Sequence, residues 1–257
     1  KILSARPFKK EYQNMNHYLY GFQSVKKNFS TGDWIKLVNK KILELKKRKK
    51  VPILVGGTGL YFKALTEGLV NIPKIPLKFR EQIRTLHSKL GPKNFFLKLI
   101  KLDPLAKNYI SYSDTQRSIR AYEVKLFTKK SMYDWFKNTK SDYEKKDFYK
   151  IYINFPREEL LKQIKTRTQG MIKKGAIREV VRFNKLRVPR SKSAYKAIGV
   201  NEVKEYLDKK IKIDDLIEKI SIKTRQYAKR QSTWGRGNML DWIKLNPSSL
   251  NRFLKKI

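Results

Sequence analysis

A strand, a glycine turn and the start of a helix follow one another at residues 51–65, and no other stretch constrains the fold as strongly. Residues 51–55 are apolar or β-branched, which predicts a buried strand. Three glycines in four positions follow, interrupted only by Thr58, and the next six residues predict the first turns of a helix. Such a turn presents backbone N–H groups to an anion. Its spacing matches neither a dinucleotide-binding fingerprint nor a P-loop, so a tight turn without a ligand is the alternative.

The charge of the chain points to a polyanion partner. The formal net charge is +39, from 61 basic and 22 acidic residues. Nucleic acid is the first candidate for a partner of that charge. A lysine-rich composition inherited from an AT-rich genome would give the same charge without any function. The sequence holds no apolar run long enough to span a bilayer, so we expect no membrane partner.

The cysteine and histidine content excludes several kinds of covalent and metal site. There are no cysteines, which excludes disulfides and thiolate zinc sites. The only histidines are His17 and His87, so a histidine metal cluster is excluded as well. With 257 residues and 40% hydrophobic content, the chain is long enough for one large domain or two small ones.

Helical and strand periodicity alternate outside the middle of the chain. Ser30 is a predicted helix N-cap, with Asp33 completing a capping box. That helix leads into the strand at residues 51–55, and a helix, a strand and a helix in succession predict an α/β fold with a mainly parallel sheet. Alternating apolar residues predict two further strands, at 18–22 and 149–155.

The middle of the chain has only helical periodicity. Residues 79–145 predict several helices, with a break at Gly91 and a later helix capped by Asp114. We therefore predict an all-helical insertion at 79–145 and an α/β core formed by 1–78 plus 146–257.

The last third predicts helices separated by a basic loop. Pro156 and Gly175 bound one helix. Asp214 starts a long one with a mainly apolar stripe that runs from Ile220 through Tyr227 to Gln231 and Trp234. Residues 187–198 predict a basic loop. The basic residues of the long helix fit a solvated surface or a surface that binds phosphate.

Several stretches resemble motifs of the tRNA dimethylallyltransferases, and the resemblance covers almost the whole chain in the same order. Those enzymes transfer a dimethylallyl group from its diphosphate to N6 of the adenosine adjacent (3′) to the anticodon, in tRNAs that read codons beginning with U. The matching stretches are SARP at 4–7, NHYL at 16–19, PILVGGTGLYFKAL at 52–65, DTQR at 114–117, RAYEV at 120–124, AIG at 197–199 and TRQYAKRQSTW at 224–234.

The resemblance implies roles for residues on both substrates. Thr58 and Arg167 are the implied catalytic residues, and Gly56, Gly57 and Arg225 are implied to lie beside the diphosphate. Donors there would stabilise the charge that grows on the leaving group. The implied tRNA-binding residues are Arg80, Asp114, Thr115, Gln116, Arg117, Ser118, Lys196, Ala197, Ile198, Gly199, Val200 and Asn201.

The resemblance also implies a P-loop-NTPase-like core, Mg²⁺ as cofactor, the tRNA anticodon stem-loop and dimethylallyl diphosphate as partners, a monomer and a cytoplasmic location. The sequence departs from the pattern of the family in one respect. The P-loop of the family and the Asp-Ser-x-Gln segment with its expected base do not occur in these 257 residues. We therefore expect either a truncated enzyme, which would bind tRNA but transfer no prenyl group, or a non-catalytic basic RNA-binding protein derived from that family.

Overall fold

A computed structural model describes residues 1–12 and 15–255. Over these residues the chain is mostly helical, with one small parallel sheet. The helices are α1 (Thr31–Lys47), α2 (Gly59–Thr66), α3 (Leu77–Leu102), α4 (Thr115–Thr128), α5 (Met132–Phe136), α6 (Arg157–Lys173), α7 (Ala176–Lys185), α8 (Val200–Leu207), α9 (Ile213–Asn238) and α10 (Pro247–Leu254), and the strands are β1 (Ile151–Ile153) and β2 (Ile243–Leu245).

The chain divides into two compact units. The core unit comprises Lys1–Tyr61 and Tyr149–Ile257, and the helical unit comprises Phe62–Phe148. The described part of the helical unit contains α-helices and short 3-10 turns but no strand. The stretch predicted as a helical insertion, residues 79–145, lies inside this unit.

The sheet of the core unit is a parallel pair in which Ile151 faces Ile243 and Ile153 faces Leu245. The ladder continues beyond the strand ends, because Asn154 donates its backbone N–H to the Leu245 carbonyl at 2.8 Å. The centre of the strand predicted at 149–155 is therefore confirmed. β2 was not predicted, because three residues are too few to produce a periodic signal.

The strand predicted at residues 51–55 is wrong for this structure. The backbone there belongs to no sheet, and Val51, Ile53 and Val55 are exposed by 88%, 80% and 78%. β-branched residues favour extended backbone, but a strand also needs a neighbour that accepts and donates its hydrogen bonds. In the described residues no strand lies beside this segment, so composition alone was misleading.

The short strand predicted at residues 18–22 is also wrong. Leu19 and Gly21 have φ angles of 59° and 61°, in the left-handed region. Two such residues within three positions turn the backbone out of the extended conformation that a strand requires.

The predicted start of α1 is confirmed. The Asp33 backbone N–H donates to Ser30 Oγ at 3.1 Å, and the Ser30 N–H donates to Asp33 Oδ2 at 2.9 Å. This reciprocal pair satisfies two of the N–H groups that a helix start leaves without partners. The apolar face of α1 then buries Val38, Ile42 and Leu45.

The helical unit has its own apolar core, in which α3 packs against α4. Phe95 and Leu99 of α3 and Val124 of α4 are fully buried there. The break predicted at Gly91 is confirmed, since its φ of 72° and ψ of 168° interrupt the helical backbone. Only glycine adopts such a conformation at little cost, and the following Pro92 then begins a new helical run.

A second apolar cluster fixes the N-terminal half of α9 in the core unit. Val180 of α7, Val203 of α8 and Leu216 and Ile220 of α9 are buried together. The predicted stripe on α9 is confirmed at Ile220, but Tyr227 is exposed. The cluster ends about two turns before Tyr227, and the later part of α9 has different neighbours.

Candidate functional site

The glycine turn at residues 56–59 packs against the C-terminal half of α9. Gln231 Nε2 donates to the Gly57 carbonyl at 2.9 Å. A Cβ added at Gly57 would lie 2.0 Å from Gln231 Nε2, and one at Gly59 would lie 2.1 Å from the Trp234 ring. These distances are far below a van der Waals contact. A side chain at Gly59 would meet the rigid ring of Trp234, whereas one at Gly57 would displace the Gln231 amide and break its hydrogen bond.

The turn leaves its amide groups available. The backbone N–H groups of Gly57, Thr58 and Gly59 donate to no acceptor in the described residues. Thr58 is exposed, and its carbonyl accepts the Tyr61 N–H at 2.9 Å as α2 begins. Adjacent free amides at a helix N-terminus are a favourable environment for an anion such as a phosphate group.

Three aromatic side chains hold this region together. Trp34 of α1 stacks on Tyr61 of α2 with ring centroids 4.6 Å apart. Burial raises the pKa of the Tyr61 phenol. A Cβ at Gly235 would lie 2.8 Å from the Tyr152 ring, so β1 also packs closely on α9. The part of α9 between residues 231 and 235 thus contacts both the glycine turn and the sheet.

The two arginines implied on the diphosphate side lie at different places. Arg167 is exposed on α6, which packs along α9, and it makes no ion pair with any described residue. Arg225 donates from Nη2 to Glu218 Oε1 at 2.8 Å, toward the N-terminal half of α9. The glycine turn contacts the other half, so this structure does not direct the Arg225 guanidinium at the turn. Arg167 carries a free guanidinium, whereas Arg225 is engaged elsewhere.

The predicted tRNA-binding stretch at 114–118 forms the start of α4. Asp114 Oδ1 accepts the Arg117 backbone N–H at 3.1 Å, which confirms Asp114 as the N-cap. Gln116 and Arg117 are exposed and Thr115 is half-buried. Ser118 is fully buried, and its hydroxyl has no partner in the described residues. The side chain of Ser118 is therefore inaccessible to RNA, and Gln116 and Arg117 are the ones that can contact it.

Arg80, implied as a tRNA contact, lies on α3 and is bonded to a buried carboxylate. Its Nε donates to Glu123 Oε2 at 3.1 Å. Arg120 donates from Nη1 to the same oxygen at 3.4 Å. The sequence marked Arg120 and Glu123 only as part of a family motif, since nothing in their spacing indicates that the carboxylate is buried.

The second predicted tRNA-binding stretch, residues 196–201, surrounds the start of α8. Gly199 has a φ of 102°, and its backbone N–H donates to Glu202 Oε2 at 2.7 Å. Gly199 and Val200 are buried, so their side-chain positions cannot contact RNA. Lys196 and Asn201 are exposed, and Ala197 and Ile198 are half-buried.

The hydroxyl of Tyr195, next to this stretch, lies close to two positively charged side chains. Lys204 Nζ donates to the Tyr195 hydroxyl, and Arg190 of the basic loop also acts on it. The hydrogen bond from Lys204 lowers the pKa of the Tyr195 phenol. Positive charge from Arg190 and Lys204 therefore lies close to the Tyr195 hydroxyl.

The expected Mg²⁺ site has no ligand set in the part of the chain that the structure describes. No group of three or more His, Asp or Glu residues lies close enough to hold a metal ion there. At the glycine turn, Thr58 offers a hydroxyl and Gln231 a side-chain amide. Among the described helices, none is both long and apolar enough to cross a membrane.

Sequence reasoning missed the role of Gln231 and Trp234. Both were assigned to the apolar stripe of α9, although a glutamine in such a stripe is itself a signal that a polar partner is near. The partner could not be named from sequence, because Gly57 lies 174 positions away.

Comparison with known proteins gives consistent matches. A family model described as IPP transferase matches residues 1–238. The tRNA dimethylallyltransferase of Pelagibacter ubique (strain HTCC1062) is 52% identical over 257 residues, which are 100% of this chain and 82% of that protein. The tRNA dimethylallyltransferase of Rickettsia felis is 40% identical over 256 residues, covering 98% of this chain and 82% of that protein.

Solved structures with a similar fold are also found. The tRNA isopentenylpyrophosphate transferase of Bacillus halodurans matches with a TM-score of 0.63 and 28% identity, covering 95% of this chain and 76% of that one. A eukaryotic dimethylallyltransferase acting on tRNA matches with a TM-score of 0.81, covering 100% of this chain and 67% of that one. At 21% sequence identity, this match shows a shared fold and nothing about function.

Proposed function

Because the chain belongs to the IPP transferase family, we propose that it transfers a dimethylallyl group from dimethylallyl diphosphate to N6 of the adenosine 3′ of the anticodon, in tRNAs that read codons beginning with U. The observation that carries this proposal is the identity of 52% over all 257 residues with a tRNA dimethylallyltransferase. The free amides of the glycine turn support it, since a diphosphate is an anion that such a turn binds.

The reaction sets the chemical demands on the site. The N6 nitrogen forms a bond to C1 of the dimethylallyl group, the C1–O bond to the diphosphate breaks, and the nitrogen loses a proton. Negative charge grows on the diphosphate as it leaves. Donors that are already in place accelerate this step, because they stabilise the developing charge without reorganising.

The core unit supplies such donors. The N–H groups of Gly57, Thr58 and Gly59 bind the diphosphate, and the Thr58 hydroxyl donates to it or to the adenosine. Gln231 and Trp234 hold the turn in register, because their contacts with Gly57 and Gly59 fix its path. Arg167, with its free guanidinium, adds a bidentate donor for a phosphate oxygen.

The tRNA side of the proposal uses accessible residues within each unit. In the helical unit these are the exposed Gln116 and Arg117 and the half-buried Arg80, and in the core unit the exposed Lys196 and Asn201. All of them offer hydrogen-bond donors, and three carry positive charge, which suits phosphate oxygens and base edges. The anticodon stem-loop is the proposed ligand.

We extend the proposal to the architecture and the cofactor. The core unit is the P-loop-NTPase-like part of the molecule, and the helices at 79–145 are an insertion that binds tRNA. Mg²⁺ supplies charge neutralisation for the diphosphate when it is bound. Because the described residues offer no ligand set for it, we assign it no residue of this chain. A cytoplasmic monomer completes the proposal.

The test is a transfer assay with the protein expressed from its complete gene. Radiolabelled dimethylallyl diphosphate and tRNA are both saturating, and label in the tRNA is measured over time. We expect transfer, and we expect Thr58→Ala to lower turnover by an amount on the order of 2.7–4 kcal/mol, the cost of losing one preorganised donor. Thr85→Ala, the same change at an exposed position on α3, should leave turnover at the wild-type value.

Two outcomes would contradict the assignment in different ways. Unchanged turnover in Thr58→Ala would remove Thr58 from the active site. Tight binding of tRNA without any transfer by a folded protein would favour the alternative, a non-catalytic RNA-binding protein derived from this family.

A further inference from the structure

In the core unit, a carboxylate on α7 holds the backbone of residues 1–3. Glu179, in the first turn of that helix, accepts the Ile2 N–H at 2.8 Å and the Leu3 N–H at 3.0 Å, both at Oε2. Its Oε1 accepts from the nitrogen of Lys1. Leu3 and Glu179 are 176 positions apart in sequence, so these bonds are tertiary contacts that no local pattern provides.

The same segment closes into a turn, and we call residues 1–6 the anchored turn. The Ala5 N–H donates to the Ile2 carbonyl at 3.0 Å, and the Arg6 N–H donates to the Lys1 carbonyl at 2.9 Å. Ala5 has a φ of 49°, in the left-handed region, which is unfavourable for a residue with a side chain. Such a conformation persists only where the surrounding structure determines it. The hydrogen bonds to Glu179 supply that constraint.

Leu3 connects the anchored turn to the stretch that precedes α8. Its side chain packs against the apolar cluster formed by α7, α8 and α9, and Ile198 packs against the same cluster. A Cβ added at Gly199 would lie 2.5 Å from Leu3 Cδ2. Gly199 has a φ of 102°, so the backbone changes direction at the place where Leu3 lies against it. The anchored turn is therefore in direct contact with residues 196–201.

Polar contacts fix the same glycine from the side of α9. Glu202 is only 2% exposed, and its Oε2 accepts the Gly199 N–H at 2.7 Å. Its Oε1 accepts from Lys223 Nζ of α9. Gly199 is thus held by a carboxylate at its N–H and by the Leu3 methyl group at its Cα. The exposed side chains on either side of it, Lys196 and Asn201, are presented from a fixed backbone.

We propose that Glu179 and Leu3 are positioning residues for RNA binding. Glu179 holds the anchored turn, and Leu3 holds the backbone at Gly199 in the conformation that presents the exposed side chains of residues 196–201 to RNA. A binding surface that is fixed in advance loses less conformational entropy when its ligand binds. This inference rests on the proposed function, since it takes residues 196–201 as part of the RNA-binding surface.

The experiment measures binding of an anticodon stem-loop RNA by fluorescence anisotropy, with the protein expressed from its complete gene. Glu179→Leu removes the acceptor for the backbone N–H groups, and we expect about tenfold weaker binding. Leu3→Ala removes the contact with Gly199 while the carboxylate stays in place, and it should weaken binding in the same direction. Glu179→Gln keeps one acceptor oxygen and should bind within about twofold of the wild type.

A double variant shows whether the two residues act through one contact. If Glu179 acts through Leu3, combining Glu179→Leu with Leu3→Ala should weaken RNA binding no more than the stronger single change. Additive losses would overturn the proposal, as would wild-type affinity in both folded single variants. Should Glu179→Leu fail to fold, Leu3→Ala decides alone, and wild-type affinity in that protein would overturn the proposal.

Transfer kinetics separate positioning from a general loss of structure. We expect Glu179→Leu to raise the KM for tRNA about tenfold, while kcat and the KM for dimethylallyl diphosphate keep their wild-type values. A lower kcat together with a rise in both KM values would show a general loss of structure and overturn the proposal.

Glu158→Leu is the matched control, because Glu158 is an exposed carboxylate in the first turn of α6. It should leave RNA affinity unchanged, and a loss equal to that of Glu179→Leu would trace the effect to helix charge and overturn the proposal. If the wild-type protein binds RNA but transfers no prenyl group, the proposed function fails. The RNA affinities of the variants then still decide this inference.

Discussion

Tyr133 shows at the scale of one residue how burial changes a titration. It is almost fully buried in the helical unit and stacks on Tyr109 with ring centroids 4.1 Å apart. Its hydroxyl has no hydrogen-bond partner in the described residues. Burial, as the largest cause, raises the pKa of this phenol to about 12 from 10.0. The neutral phenol is therefore favoured by the fold and the phenolate is not.

Because the pKa of Tyr133 is raised in the folded state, this phenol makes folding stability fall at high pH. Below the unfolded pKa near 10.0 the phenol is neutral in both states, and its stabilising contribution is complete. As the pH rises from there toward about 12, the unfolded chain loses its proton first and the folded state is destabilised. In Tyr133→Phe this loss should be absent, because no proton can leave.

The measurement is urea unfolding of the wild type and Tyr133→Phe at about pH 8 and about pH 11. We expect the stability gap between the two proteins to move in favour of Tyr133→Phe at the higher pH. Tyr112→Phe, an exposed tyrosine of the same unit, serves as the control. A gap that is independent of pH would contradict the assignment of this titration to Tyr133.

At the scale of elements, the glycine turn and α9 depend on each other. Gly59→Ala would place a methyl group 2.1 Å from the Trp234 ring, although the backbone angles there suit any residue. We expect a loss of about 1–3 kcal/mol from overpacking, measured as a lower urea midpoint. Turnover should fall too, since the turn would move away from Gln231.

Gly170→Ala is the matched control for this prediction. It lies on α6, where an added Cβ meets nothing within 4 Å. We expect a gain of roughly 0.5–1 kcal/mol, because alanine is the better helix former. If Gly59→Ala proved as stable as Gly170→Ala, the packing between the turn and α9 would be wrong.

Elements governed by local chemistry could be predicted from the sequence, and elements that need a distant partner could not. The capping box at Ser30 involves residues three apart and was predicted correctly. The same holds for the cap at Asp114 and the break at Gly91. Residues 51–55 failed because strand formation depends on a neighbour, which no local pattern reveals.

In the candidate site, too, local features could be predicted from the sequence and contacts between distant residues could not. The glycine turn could be located in the sequence because its motif is contiguous, whereas the contacts of its glycines with Gln231 and Trp234 join residues far apart in sequence. The burial of individual side chains could not be predicted from the sequence either. Ser118 and Glu123 belong to stretches with exposed neighbours, yet both are buried in the folded unit.

At the scale of the whole molecule, the net charge of +39 predicts how RNA binding responds to salt. Each phosphate that the protein neutralises releases condensed counterions. The logarithm of the binding constant should therefore fall with the logarithm of salt concentration, at roughly 0.7–0.9 per phosphate contact. Titration of an anticodon stem-loop with the protein from dilute to physiological salt measures this slope. A flat response would show that the charge is a surface property unrelated to RNA.

The central claim is that this chain carries the activity of its family, and the most direct test is made on tRNA in cells. A bacterial strain that lacks its own tRNA dimethylallyltransferase receives the complete gene that encodes these residues. Its tRNA is then digested to nucleosides and analysed by mass spectrometry. We predict that N6-dimethylallyladenosine returns, only in tRNAs that read codons beginning with U, and that Thr58→Ala strongly reduces its amount. Absence of the modified nucleoside in cells that contain the folded protein would contradict the claim.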